Sequence, residues 1–183
     1  MQSLLEQLRL NDFNLYYRLY QFGRESLFFE VIFYSFAKYG IVFFFLSFTY
    51  LIWNKRIKAF FCSFLSMGIA GFVDFAINLV WQRPRPYITH ADLVNPYVSG
   101  LRVDDISFPS SHTYIAFAVA TSVFMYGHKR LGLTLFGLAI LVAVSRVGTG
   151  LHYPSDVIGG AILGIISGIT ARFIVKGLEK DWE

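Results

Sequence analysis

The sequence predicts an all-α fold: a polytopic membrane helix bundle of five or six transmembrane helices, with its chemically reactive residues gathered at the outer membrane face. Three observations predict it. The 183 residues are 55% hydrophobic and only 15% charged, whereas a soluble domain carries about 25% charged residues. The apolar residues come in long runs separated by short loops. The 20 Phe and 11 Tyr suit a surface that faces lipid, with Tyr and Trp near the interfaces. One domain over residues 1–183 accounts for the length. The net charge of +4 does not point to nucleic acid, because the basic residues sit in short loops between apolar runs instead of forming a patch among soluble elements.

Residues 1–38 are the ambiguous part, expected to form an interfacial or first-helix region. Residues 1–10 are polar and amphipathic and lack the apolar core and small-residue cleavage site of a signal peptide, so insertion is expected to rely on later segments. Residues 14–20 alternate polar and aromatic side chains and suit an interfacial position. Residues 26–36 are apolar but too short to span alone. Apolar runs follow at 40–53, reaching back toward Phe36, and at 59–80, 112–126, 131–147 and 157–175. A helical span needs about 20 residues, so the runs at 40–53 and 112–126 are short as they stand and should extend into their flanks. Residues 59–175 form the motif-bearing core. Gly160, Gly164 and Gly168 recur at four-residue spacing, which favours close helix packing over a substrate groove. Cys62, the single cysteine, lies inside an apolar run and reads as a small buried residue.

Basic residues in short loops fix the orientation. Lys55, Arg56 and Lys58 join two runs; His128, Lys129 and Arg130 join two more; Arg172, Lys176 and Lys180 follow the last. Counting crossings puts all three groups on one side, which should be the cytoplasmic side. The loops 81–111 and 148–155 then face outward together. Both contain the residues that look chemical, so the charge bias and the motif positions agree.

Those residues form three clusters. The first is Arg83-Pro84-Arg85-Pro86. The second is Pro109-Ser110-Ser111-His112, and the third runs from Ser145-Arg146 through His152 to Asp156. Arginine offers a planar, permanently charged fork of donors that matches phosphate oxygens. One boundary arginine reads more readily as snorkelling to headgroups; three beside two histidines do not. Ser110, Ser111 and His112 stand where a helix should begin, and free backbone N–H groups there make an anion site, while the serine hydroxyls cap the helix or bond a phosphate oxygen. Pro154 suits a first helical turn, which places Asp156 in that turn, able to reach back to His152 and fix its tautomer. His90 and His128 lack such neighbours and read as structural. No cluster supplies metal ligands, and no metal or cofactor is expected.

The run Ser145-Arg146-Val147-Gly148-Thr149-Gly150-Leu151-His152-Tyr153-Pro154-Ser155-Asp156, preceded in order by Arg85-Pro86 and by Pro109–His112, resembles the type 2 phosphatidic acid phosphatase superfamily over residues 59–175. The resemblance implies metal-independent hydrolysis of a membrane lipid phosphate through a phosphohistidine. His152 would be the nucleophile, Asp156 would orient it, and His112 would protonate the leaving oxygen and then activate water. Arg85, Arg146, Ser110 and Ser111 would hold the phosphoryl oxygens. Two departures stand out. Asn78 occupies the place of the family's usual Lys, six residues before Arg-Pro, and Arg83 is expected to replace that cation. Ser111 replaces the Gly of the common Pro-Ser-Gly-His. Asp74, toward the outer end of its run, either pairs with an arginine of the site or makes a helix-packing hydrogen bond.

The short chain, the helix layout and Asn78 look similar to the bacterial undecaprenyl-diphosphatase branch. The expected partners are therefore the bilayer and a lipid phosphate, foremost undecaprenyl diphosphate. Lipid A 1-phosphatase and phosphatidylglycerophosphate or phosphatidic acid phosphatase remain alternatives, as does a catalytically silent lipid-binding protein. Specificity is expected to lie in loop 88–108 and in the groove between helices.

Overall fold

A computed structural model describes residues 2–94 and 106–180. Its regular structure among those residues is helical, with seven helices: α1 (Gln2–Arg24), α2 (Leu27–Trp53), α3 (Ile57–Val80), the single turn α4 (Pro86–Thr89), α5 (Ser111–Met125), α6 (Lys129–Gly148) and α7 (Pro154–Lys180). Four of them, α2, α3, α6 and α7, are long and apolar enough to cross a membrane. With α5, a shorter apolar helix, five helices run between the two ends of the bundle. This is the lower of the two expected numbers.

The short runs resolve differently. The run at 40–53 belongs to a helix of 27 residues, about 40 Å at 1.5 Å per residue. It absorbs the segment 26–36 because nothing in that segment breaks a helix, and Ser26 stands at its N-cap, accepting from the Phe29 N–H at 3.4 Å. The run at 112–126 does not lengthen. Its 15 residues reach about 22 Å, short of the ~30 Å hydrocarbon layer. Helix α5 instead lies inside the bundle, packed against α3, α6 and α7, with Ala116 through Val123 all buried. Its neighbours face lipid for it, exposing side chains such as Phe64 and Phe72 on α3 and Ile162, Ile166 and Phe173 on α7.

The contact between α5 and α7 depends on the glycines at four-residue spacing. A Cβ on Gly164 would lie 2.4 Å from the Tyr114 carbonyl oxygen, and one on Gly160 2.8 Å from that of Ser110. A Cβ on Gly168 would meet Thr121 at 2.6 Å. The small-residue stripe is therefore a packing seam. Cys62 is buried, as expected.

Helix α1 is continuous through the segment that alternates polar and aromatic residues. Residues 3–11 are exposed, while Tyr16, Tyr20 and Gly23 are buried against the rest of the molecule. Tyr16 and Tyr20 pack with Val94, Val147, Tyr153 and Val157, so α1 lies over the end of the bundle where α6 passes into α7. Chain direction then sets the layout. Residues 81–94 and 106–110 and the loop 149–153 share that end, and the basic loops at 54–56 and 126–128 lie at the opposite end. The expected grouping of motifs on one face and Lys and Arg on the other describes this layout.

Candidate active site

His152 and Arg146 are brought side by side by the way α6 ends. The Thr149 N–H still bonds the Ser145 carbonyl in helical fashion at 3.0 Å. Gly150 then takes φ +85°, a conformation that L side chains resist, and a Cβ there would also press on Tyr20 and Val94 at 3.2 Å. The reversal sends the Leu151 and His152 N–H groups back to the Arg146 carbonyl, at 3.2 and 3.3 Å. Helix α7 starts at once with Pro154, and Asp156 in its first turn accepts the Tyr153 N–H at 2.8 Å, as an acidic residue does in a capping box.

The Arg-Pro-Arg-Pro segment reaches the same place from the other side. It is extended at Arg85, and Pro84 forms an isolated antiparallel bridge with Ile106. The Ser107 N–H donates to the Arg83 carbonyl at 2.7 Å, which pins Ser107 beside His152. The N-terminus of α5 is tied in by the Ser110 N–H, which donates to the Asp156 carbonyl at 3.1 Å.

His152 is buried, and its two ring nitrogens have different partners. Nδ1 lies 2.8 Å from the Ser107 carbonyl oxygen, which can only accept. Nε2 lies 3.1 Å from Arg85 Nη1 and 3.3 Å from Arg146 Nη2, which can only donate. The neutral ring must therefore carry its hydrogen on Nδ1 and present the Nε2 lone pair to two guanidinium groups. Burial, followed by the charges of Arg146 and Arg85, holds the His152 pKa well below the ordinary imidazole value, against a smaller upward pull from the Ser107 carbonyl. Arg146 is itself steadied by donating to the Ala37 carbonyl on α2 at 3.1 Å, and Arg85 by donating to the Leu151 carbonyl at 3.3 Å. His112 sits in the first turn of α5, within electrostatic reach of His152 and both arginines.

Two expected contacts differ. Asp156 does not bond His152 directly: Nδ1 to Oδ2 is 3.9 Å, beyond a hydrogen bond. The carboxylate acts one step back, accepting the Ser107 hydroxyl at 2.5 Å while the Ser107 carbonyl takes the ring N–H. Arg83 does not point to Nε2 as a replacement phosphate cation. Its guanidinium spans two carboxylates, donating from Nη1 to Asp156 Oδ1 at 2.6 Å and from Nη2 to Asp12 Oδ2 at 2.7 Å, and lies 4.0 Å over the Tyr153 ring. Carboxylates satisfy a guanidinium fork as well as phosphate does, and the motif could not say which it would meet.

The other site candidates fall into place around this centre. Ser110 is buried and accepts from the Thr113 hydroxyl at 3.1 Å; it stands at the N-cap of α5 without making a side-chain cap bond, one of the two roles expected of the serine hydroxyls. Ser111 is half-buried at the first position of the helix. Asn78 donates to Asp74 at 3.0 Å, and the Tyr114 hydroxyl of α5 donates to the other Asp74 oxygen at 3.2 Å, so these contacts of Asp74 are of the helix-packing kind. His90 packs on the Phe13 ring at 4.1 Å between centroids, a structural role. Ser107 and Asp12 escaped the sequence reading. Ser107 stands two residues before Pro109 with no pattern of its own, and Asp12 lies far from every motif. Residues 95–105, most of the loop expected to govern specificity, lie outside the described residues.

This bundle of long apolar helices, with a buried imidazole held between paired guanidinium groups and the Ser107 carbonyl, defines an integral membrane protein. The chain belongs to the PAP2 superfamily, whose pattern matches residues 59–179. It is 36% identical over 103 residues to undecaprenyl-diphosphatase BcrC of Bacillus subtilis, covering 55% of this chain and 50% of that one. The chain thus spans about half the length of that curated relative. Two crystal structures share the fold. Aquifex aeolicus LpxE has a TM-score of 0.67 at 23% identity, covering 87% of this chain and 93% of that one. A transmembrane PAP2-type phosphatidylglycerolphosphate phosphatase from Bacillus subtilis has a TM-score of 0.65 at 20% identity, covering 97% and 88%.

Proposed function

We propose that this protein is a lipid phosphatase working through a phosphohistidine on His152, with undecaprenyl diphosphate as its substrate. The observation that carries the reading is the tautomer. With the proton held on Nδ1 by the Ser107 carbonyl, the Nε2 lone pair points to where Arg85 and Arg146 converge. A phosphoryl group arriving there would exchange its oxygens for the imidazole as the arginines' acceptor, leaving phosphorus in line with Nε2. Transfer of this kind depends on positioning and charge stabilisation. Two cations aimed at Nε2 also make it a poor ligand for a metal ion, so the chemistry is assigned to protein groups alone.

In the first step the Nε2 lone pair attacks phosphorus and the bond from phosphorus to the lipid-side oxygen breaks. Protonated His112 gives that oxygen its proton. In the second step neutral His112 takes a proton from water, whose oxygen attacks phosphorus as the P–N bond breaks. Orthophosphate leaves and both histidines return to their starting states. Ser110 and Ser111, at the start of α5, would bind the remaining phosphoryl oxygen through backbone N–H or hydroxyl groups. The choice of a polyprenyl diphosphate rests on the likeness to BcrC. The basic loops at the far end of the bundle support a site at the outer face of the membrane.

The test is phosphate release by detergent-purified protein with EDTA present, on undecaprenyl diphosphate, lipid A, phosphatidylglycerophosphate and phosphatidic acid. Undecaprenyl diphosphate should turn over fastest. His152→Ala should lower kcat by about 10³-fold or more, since removing a nucleophile leaves only binding and charge stabilisation. Faster turnover of another lipid would refute the substrate, and activity that survives His152→Ala would refute the mechanism.

A further inference from the structure

Helix α1 lies outside the residues that match the superfamily pattern, yet one of its side chains reaches the carboxylate end of the site. Asp12 Oδ1 accepts the Ser155 N–H at 2.9 Å. Its Oδ2 accepts the Ser155 hydroxyl at 2.5 Å and Arg83 Nη2 at 2.7 Å. Arg83 passes the contact on through Nη1, to Ser155 Oγ and Asp156 Oδ1, both at 2.6 Å. Asp12 is thus linked to His152 through Arg83, Asp156 and Ser107, by charge-assisted bonds as far as the Ser107 hydroxyl and by the Ser107 carbonyl from there. Its side chain is only 13% exposed and that of Arg83 19%.

Attachment of α1 does not by itself call for this carboxylate. Tyr16 and Tyr20 already anchor the helix in an aromatic cluster with Tyr153 and Val94. What Asp12 adds is charge and direction. Arg83 carries one positive charge between two carboxylates, so the Nδ1 side of His152 is net negative. Arg85 and Arg146 make the Nε2 side positive, and His112 lies within electrostatic reach of the ring. Without Asp12, Arg83 would neutralise Asp156 and lose the partner of its Nη2. The Nδ1 side would then lose its net charge when the ring becomes cationic on accepting a phosphoryl group.

We propose that Asp12 is a positioning residue for phosphoryl transfer, orienting Arg83 and Asp156 and supplying the negative charge that supports the His152 ring. The inference rests on the role given to His152 above. Its test compares wild type with Asp12→Asn, Asp12→Glu and Ser155→Ala, with His152→Ala as control, by steady-state phosphate release across pH and by thermal unfolding in detergent. Asp12→Asn should lower kcat about tenfold with KM changed less than about twofold, the pattern of a lost transition-state interaction. It should also move the acid limb of kcat/KM to lower pH, because losing a nearby negative charge makes imidazolium less favourable. Asp12→Glu should restore that limb and most of kcat. Ser155→Ala keeps the charge and should leave the limb in place even where it lowers stability.

An Asp12→Asn protein with unchanged kcat and acid limb would overturn the proposal. So would a loss of activity that follows thermal stability alone in all three variants. Should Asp12→Asn fail to fold, the proposal is overturned unless Asp12→Glu is active with the wild-type limb. An active wild type with an unchanged Asp12→Asn defeats this inference alone; a wild type no more active than His152→Ala defeats the phosphatase reading and this inference with it.

Discussion

Arg83 and Arg85 stand two residues apart on one extended segment and reach the same imidazole–carboxylate unit at opposite ends. Arg85 donates toward His152 Nε2, where an incoming anion would take its place. Arg83 is held by Asp156, Asp12 and Ser155, in a ring of permanent protein partners. Two identical side chains in one motif thus have different tasks, and the partners that the fold supplies make the difference. A guanidinium facing carboxylates is already satisfied and serves the architecture. One facing a neutral imidazole lone pair can still give its donors to an anion.

The contrast breaks most visibly at Arg85. Arg85→Ala should lower kcat/KM by about 10²–10³-fold, as loss of a donor to developing negative charge does, while thermal stability stays close to wild type. It should also move the acid limb. In the proposed mechanism attack requires neutral His152, whose pKa is depressed by burial, Arg146 and Arg85. In wild type the acid limb of kcat/KM should therefore lie below about 6.5, the ordinary histidine value, with activity lost only as pH falls through the lowered pKa. Removing the Arg85 charge raises that pKa, so the limb should shift upward toward the ordinary value. A pH–rate profile of both proteins checks the sign, and an Arg85→Ala limb at or below that of wild type would contradict it.

Arg83→Ala should show the opposite balance. It leaves the buried Asp156 without its cation, and breaking a buried pair costs about 3 kcal/mol or more, read as a clear fall in thermal stability. Its kcat should drop about tenfold, because the chain to Ser107 loosens without loss of a phosphate contact. Equal stability in the Arg83→Ala and Arg85→Ala proteins would dissolve the distinction. The smallest effect is expected from Ser107→Ala. The backbone carbonyl that holds the His152 N–H remains, and only the hydroxyl bond to Asp156 is lost, so kcat should fall about threefold, a fraction of the usual worth of a hydrogen bond to a charged group.

Much of this was legible from residues alone. The apolar runs and basic loops sufficed for the bundle and for the face that gathers the motifs, because lipid makes hydrophobic length a strong constraint. Arg85 and Arg146, from two separate motifs, meet at His152, and His112 lies within electrostatic reach of them. Less legible was the fate of the weaker segments. The run at 40–53 was expected to reach back toward Phe36, but not as far as Leu27, since helix propagation depends on the absence of a breaker. Nor did the run at 112–126 reveal that it stays short: a helix surrounded by protein need not match the bilayer, and its apolar residues look the same in either setting.

The sequence by itself determined which polar and charged groups the motifs bring and on which end of the bundle they lie, because spacing within a helix turn and hydrophobic length are local properties. Only the tertiary structure decided who bonds whom. It put the Ser107 carbonyl on His152 Nδ1, set Asp156 one bond further back, and turned Arg83 from a phosphate ligand into a bridge to Asp12. Those choices depend on which acceptors lie within about 3 Å of a donor, and that distance is set by segments far apart in the chain packing together.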